Sequence, residues 1–158
     1  MAVAVGKPED RGVEIDMGEL PDLIGFNLRC AQVSTFQHFS KTVGEAEISP
    51  PQYGALVLID ANPGISQSAI ASALRFDRST LVQIIDRLEE RGLVVREVSA
   101  NDRRSHALKV TAEGETALKD LKRRVRDHEA HITRELSEDE KHSLIALLAR
   151  LHQTPFAD

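Results

Sequence analysis

The residues best suited to chemistry in this chain are arginines, amides and small hydroxyls gathered in its middle third. Asn101-Asp102-Arg103-Arg104 stands between two short β-prone runs, "VVREV" and "HALKV". An arginine at a hairpin tip can enter a narrow minor groove, where the negative potential is enhanced. A neighbouring carboxylate such as Asp102 can orient one of the arginines through a charge-assisted contact and reduce the entropy lost on binding. Upstream, Arg78, Ser79, Thr80, Gln83 and Arg87 fall near the start or on the polar side of a helical pattern. Arginine and glutamine carry paired donors and acceptors that match guanine and adenine edges. Ser66, Gln67 and Ser68, at the start of the preceding helix, can offer hydroxyls, an amide and free backbone N–H groups to phosphate. This is binding chemistry. No nucleophile elbow, phosphate loop or zinc-hydrolase helix occurs, so an enzyme is not expected, nor is a cofactor.

Composition sets the frame for that chemistry. The 158 residues carry a net charge of −5, which taken alone argues against nucleic acid, but electrostatic footprints are local. Residues 66–111 hold eight basic and six acidic groups, so this stretch is +2 and the remainder is −7. The length suits one domain with helical extensions. A single cysteine, Cys30, excludes an internal disulfide framework and suits a reducing compartment. The apolar runs are shorter than the ~20 residues of a spanning helix, and no export signal opens the chain. A cytoplasmic protein without a membrane partner is expected.

The elements that must position these residues follow from periodicity. Residues 1–16 are polar and aperiodic, as in a flexible arm. From Met17 to Val43 the pattern is helical, with Ile24, Leu28, Ala31 and Phe39 in one stripe and Phe26, Cys30, Val33 and Phe36 extending it, so the helix must be covered on more than one face. Ser49, Pro50 and Gln52 have capping-box spacing, and that helix closes at Asn62-Pro63-Gly64. A short helix runs from Ser66 to Arg75, and the next carries Leu81, Ile84, Ile85 and Leu88, with Gly92-Leu93 as a left-handed cap and its apolar contact. The period then changes to a hairpin around "SANDRRS". Thr111 caps a charged helix to about Glu135, and Ser137 with Glu140 caps a last helix through Leu144, Ile145, Leu147, Leu148 and Leu151.

Two short helices followed at once by a β-hairpin form the winged variant of the helix-turn-helix, whose second helix enters the major groove. At "DRSTLVQIIDRLEERGLVVREVSANDRRSHALKVTAEG", Asp77 to Gly114, the chain closely resembles the recognition helix, wing and following helix start of the MarR family of bacterial regulators. "SPPQYGALVLI" and "LSEDEKHSLIALLARL" fit the same family in order and spacing, and the resemblance covers about Leu20 to His152. It implies a mainly α fold with a small β-hairpin wing: a winged helix-turn-helix lobe at about 47–111, and a dimerisation stem from helices at about 17–44 and 112–153, within a domain at 17–158. It further implies a homodimer that binds a pseudo-palindromic DNA operator and a repression that a small ligand relieves. The family's Asp-x-Arg wing motif falls on Asp102 and Arg104, which makes Arg104 the minor-groove arginine and leaves Arg103 for phosphate. "LRCAQVSTFQHF" and "NPGISQSAIASALRFDRSTLV" look like the branch that answers to aromatic acids or their coenzyme A thioesters.

Several residues admit two readings. Phe26, Phe36, Phe39 and Tyr53, with Arg29 as a cationic anchor, line a cleft for a planar acid or else form core and dimer interface. Lys122, Arg123, Arg124 and Arg126 are candidates for a thioester's phosphates or a solvated helix face. Cys30 is a buried hydrophobe or a peroxide-sensing thiol that would make the chain a redox switch, although the paired tyrosines of that branch are absent. His128 and His131 are solvated or hold a metal from one helix face. A winged-helix protein–protein module, with the hairpin arginines on an acidic partner, is the alternative from a different class.

Overall fold

The computed structural model describes residues 15–98 and 106–153. The hairpin tip with Asp102, Arg103 and Arg104, and most of the expected arm at 1–16, lie outside them. The chain divides into two compact units, residues 1–37 and 38–158. In the first, a 3-10 turn at Leu20–Asp22 precedes the start of α1 (Ile24–Thr42). Ile24, Leu28, Val33 and Phe36 of α1 are all exposed.

The second unit contains the hydrophobic core. After the end of α1 come α2 (Pro50–Ala61), β1 (Ile65–Ser66), α3 (Gln67–Leu74), α4 (Arg78–Glu90), β2 (Val94–Val98), β3 (His106–Val110), α5 (Ala112–Ile132) and α6 (Glu138–Gln153). Each helix start is set by a side chain that satisfies an otherwise unpaired N–H. Ser49 and Gln52 form the expected capping box, with Gln52 Oε1 accepting from Ser49 N at 2.9 Å. Ser137 and Glu140 do the same before α6. Thr111 Oγ1 accepts from Gly114 N at 3.0 Å at the start of α5, which ends at Ile132, three residues before the expected Glu135.

Four apolar residues of α4, Leu81, Ile84, Ile85 and Leu88, are buried against Leu56 and Ile59 of α2 and Ile70 and Ala71 of α3 in one core cluster, and Val82 is half-buried. Burying each contributes about 2 kcal/mol, so the helix is held by one face and its other face is left to solvent. α4 ends in a two-bond cap: Leu93 N donates to Leu88 O and Gly92 N to Glu89 O, with Gly92 at φ +67°. That is the left-handed cap expected from the sequence, with Leu93 buried beside Leu88 as its apolar contact.

β2 and β3 pair antiparallel with Val94 opposite Val110 and Arg96 opposite Leu108. The sheet has a third strand that was not expected: Ile65 and Ser66 pair with Leu108 and Ala107, giving the order β1-β3-β2. Two residues give no period to detect, and they are extended because they complete the free edge of β3 before Ser66 caps α3.

α6 is held less by this core. Leu144, Ile145, Leu147 and Leu151 are exposed, Ile145 at 66%. A helix with such a stripe is only half accounted for by the isolated chain.

The start of α5 packs so closely on the α4–β2 turn that only glycine fits at 114. A Cβ there would meet Leu93 O at 2.0 Å and Val110 Cγ1 at 2.7 Å. Gly114→Ala is expected to destabilise the fold by about 2–3 kcal/mol, measured as a lower urea midpoint at unchanged slope.

Candidate nucleic-acid interface

Anchored on one face, α4 carries the candidate readers on the others. Asp77 is its N-cap and accepts from Thr80 N at 2.8 Å. The same carboxylate accepts from the hydroxyls of Ser79 and Thr80. These three donors, the Ser79 hydroxyl foremost, hold the Asp77 carboxyl well below the usual carboxylate range. Ser79 and Thr80 therefore have their protons directed inward and present only lone pairs outward, which suits base amino groups rather than phosphate oxygens. Asp77 was not among the residues singled out from the sequence; its signal is the Asp-x-x-Thr spacing of a cap before an apolar run.

Arg78, Gln83 and Arg87 are exposed, and none of their side chains has a hydrogen bond or ion pair among the described residues. They are the free donors of the helix. By contrast, three other arginines of the basic stretch are engaged within the protein, Arg75 through Nη2 at 3.1 Å from His152 Nδ1. Arg91 donates from Nη1 to Glu47 O at 2.6 Å and from Nη2 to Ala46 O at 2.8 Å, fixing a turn in which Glu47 is left-handed at φ +51°. Arg96 reaches Asp86 and Glu89 of α4.

At the start of α3, Ser66 Oγ accepts from Ala69 N at 3.2 Å and lies 3.0 Å from Ser68 Oγ. Gln67 is turned to the wing: with its amide oxygen facing the guanidinium it accepts from Arg96 Nε at 2.8 Å. Of the three residues expected to face phosphate, Ser68 is the most exposed, and Gln67 is tied to Arg96. Asp102, Arg103 and Arg104 lie outside the described residues, while β2 packs against α4.

A surface cavity of about 430 Å³ adjoins the other end of α4, lined by Ser40, Gly44, Glu47, Ile48, Ser49, Gln52, Arg87, Glu90 and Arg91. Arg87 is the one candidate site residue in it. The aromatic candidates separate by burial. Phe39 is a core residue, 5% exposed, with its ring 6.5 Å from that of Tyr53. Phe26 is half-buried, and Arg29 and Phe36 are exposed. Cys30 is a free, half-buried thiol. On α5, Lys122 pairs with Asp60 at 2.8 Å, and Arg123 and Arg124 pair with Asp120 at 2.8 and 2.7 Å. Arg126 is exposed. This face of α5 is laced with ion pairs.

The histidines require a correction. His128, expected to be solvated, is 2% exposed. Its Nδ1 lies 2.8 Å from His38 Nδ1, and its ring meets Phe39 edge-on. His38 also stacks on His131, with ring centroids 4.0 Å apart. The local charge pattern of α5 conceals this, because the covering groups come from the end of α1. Burial, and then the neighbouring cationic imidazoles, lower the pKa of His38; burial chiefly lowers that of His128. Both folded-state values lie below the ordinary 6.5. The unfolded chain therefore takes up protons first, and the stability associated with neutral imidazoles is complete above pH 6.5 and is lost as pH falls through the lowered values. Thermal melts from pH 8 to pH 5 should show this decline, and His128→Asn should flatten it.

Comparison with known proteins follows the same geometry. A model described as the MarR family matches residues 46–105, a span that opens just before α2 and closes just before β3. The chain is 39% identical over 150 residues to a protein of Thauera aromatica named for transcriptional regulation of the hcr operon, covering 94% of this chain and 90% of the relative. It is similar to the transcriptional repressor CouR bound to a 23-mer DNA duplex, at 39% identity and TM-score 0.85, over 89% of this chain and 100% of that one. CouR bound to p-coumaroyl-CoA gives 38% identity and TM-score 0.82, over 90% and 100%.

Proposed function

Because the chain belongs to the MarR family of transcriptional regulators, we propose that it is a repressor that binds a pseudo-palindromic operator as a homodimer. A small aromatic acid or its coenzyme A thioester releases it. One observation carries the DNA-binding half of this reading: α4 is buried along Leu81, Ile84, Ile85 and Leu88 while Arg78, Gln83 and Arg87 stand exposed and unpartnered around it. Arg78 and Gln83 read base edges, Ser79 and Thr80 accept from base amino groups, and Arg87 takes phosphate at the far end. Ser66, Gln67 and Ser68 lie at the α3 start on the phosphate side. Asp102 orients Arg104 into the minor groove, and Arg103 meets the backbone. The exposed apolar residues of α1 and of α6 supply the dimer stem, and its two-fold symmetry sets the half-sites about one helical turn apart.

The test is binding to a duplex from upstream of the protein's own gene, against a random duplex of equal length. The upstream duplex should bind more tightly at moderate salt, and its affinity should fall steeply as salt rises. Arg104→Ala should lower that affinity by about 1–3 kcal/mol with an unchanged melting temperature. Equal affinities for the two duplexes would sink the operator reading.

For the effector, the likeness to CouR bound to p-coumaroyl-CoA supports an aromatic acyl thioester. Phe26, Arg29 and Phe36 fall on one stripe of α1 by their helical spacing, and Arg29 has no ion pair among the described residues. Two aromatic rings about a free cation suit a planar ring with an anionic head. The ligand must favour a lobe arrangement that mismatches the operator, since equal affinity for both states shifts nothing. Titrating the operator complex with benzoate-like and cinnamate-like acids and their coenzyme A thioesters should dissociate it with one class. Arg29→Ala should raise the concentration required without altering DNA affinity. Dissociation by peroxide alone would favour Cys30 as the sensor instead.

A further inference from the structure

Arg96 has no place in the docking just described, yet it is the most fully engaged arginine beside the recognition helix. It stands two residues after the buried Val94 and so on the same face of β2. Its side chain is 18% exposed, and each guanidinium nitrogen has a partner. Nη1 donates to Glu89 Oε2 and Nη2 to Asp86 Oδ1. Nε donates to the Gln67 amide oxygen at 2.8 Å. The Arg96 backbone N–H adds a bond to Glu89 Oε1 at 3.3 Å. One residue of the wing thus joins α4 at two positions and α3 at one. Lysine, with a single nitrogen, cannot span three acceptors in this planar arrangement.

The partners matter as much as the geometry. Asp86 and Glu89 are one and two turns beyond Gln83 on α4, and their side chains are 46% and 37% exposed. A helix entering the groove brings such carboxylates towards phosphates, where uncompensated negative charge opposes binding over roughly a Debye length, ~10 Å at 0.1 M salt. Arg96 halves the local charge, from −2 to −1.

We infer that Arg96 is a positioning residue for DNA binding: it fixes the wing and α3 against the recognition helix and offsets the Asp86–Glu89 carboxylates that would otherwise repel the duplex. The inference rests on the operator-binding reading above. It is distinct from the base and phosphate contacts proposed above, because each nitrogen of this guanidinium already donates to an acceptor within the protein.

Fluorescence anisotropy with the upstream duplex and with a random duplex, across a salt series, tests it on the full chain. Arg96→Gln should weaken upstream binding about tenfold or more at low salt, and the deficit should narrow as salt screens the carboxylates. Adding Asp86→Asn and Glu89→Gln to that variant should recover most of the loss, which a packing defect would not. Arg96→Lys, which keeps the charge but not the span, should fall between wild type and Arg96→Gln. Unchanged affinity in Arg96→Gln, or a deficit that is equal at every salt and not recovered, overturns the inference. If Arg96→Gln does not fold, Asp86→Asn/Glu89→Gln alone decides. Its amides still accept from Arg96, so it should bind more tightly than wild type with a steeper salt dependence, and equal or weaker binding overturns the inference. Should wild type fail to prefer the upstream duplex, the operator reading fails instead. Amide hydrogen exchange of Arg96→Gln then tests the clamp. Faster exchange in β2 and α4 than in α5 supports it, and exchange identical to wild type overturns it.

Discussion

The reversal at Gly92-Leu93 is the joint on which the DNA-facing lobe depends. Three elements are fixed there by a few atoms. Leu93 N and Gly92 N close α4 on Leu88 O and Glu89 O. Thr111 N donates to Leu93 O at 3.1 Å and Thr111 Oγ1 to Gly92 O at 2.6 Å, so α5 starts against the same turn. β2 leaves from it directly. A left-handed residue is required for the first of these bonds, and a missing side chain at 114 for the last. The angle between recognition helix and wing is therefore set at this turn by hydrogen bonds and close packing, with Arg96 as a brace further along, and not by the exposed side chains that would do the reading.

That division explains how an acidic chain can present a cationic reading surface. The described arginines of the middle stretch fall into two groups by what they touch. Arg91 and Arg96 are engaged with backbone carbonyls and carboxylates and serve to hold turn, helix and strand in place. Arg78 and Arg87 remain free on the exposed flanks of α4. Such a division is physically economical because an arginine that bridges several acceptors is pre-organised, while one left solvated loses little on meeting phosphate. Asp77 shows the same logic in miniature: it caps α4 and at the same time decides which atoms Ser79 and Thr80 can offer.

Beyond the lobe, the second unit contains a cluster of a different kind. His38 stacks on His128 and His131, Phe39 meets His128 edge-on, and Tyr53 lies tilted against Phe39. Because burial lowers the pKa of His38 and of His128, this junction between the end of α1 and α5 loses stability as pH falls. The apolar stripe of α6, in contrast, is indifferent to pH and waits on burial.

Much of the fold was legible in the sequence because its signals are local. The caps at Ser49, Ser66, Thr111 and Ser137, the glycine at 92 and the change of period from helix to hairpin all act within four or five residues, and the structure follows them. The buried face of α4 was equally plain, since a 3.6-residue period states which side must be covered. The exposed flanks were legible as residue types but not as roles. Whether Arg91, Arg96 or Gln67 faces outward or is held within the protein depends on groups far away in the chain: Glu47 for Arg91, and α3, α4 and β2 together for Arg96 and Gln67. The two-residue β1 exists only because β3 has a free edge, and His128 is buried only because His38 and Phe39, some 90 positions earlier, lie over it. Local periodicity determined the elements and their inward faces; the tertiary structure alone decided which polar side chains remain free, because pairing between distant charges leaves no period in the chain.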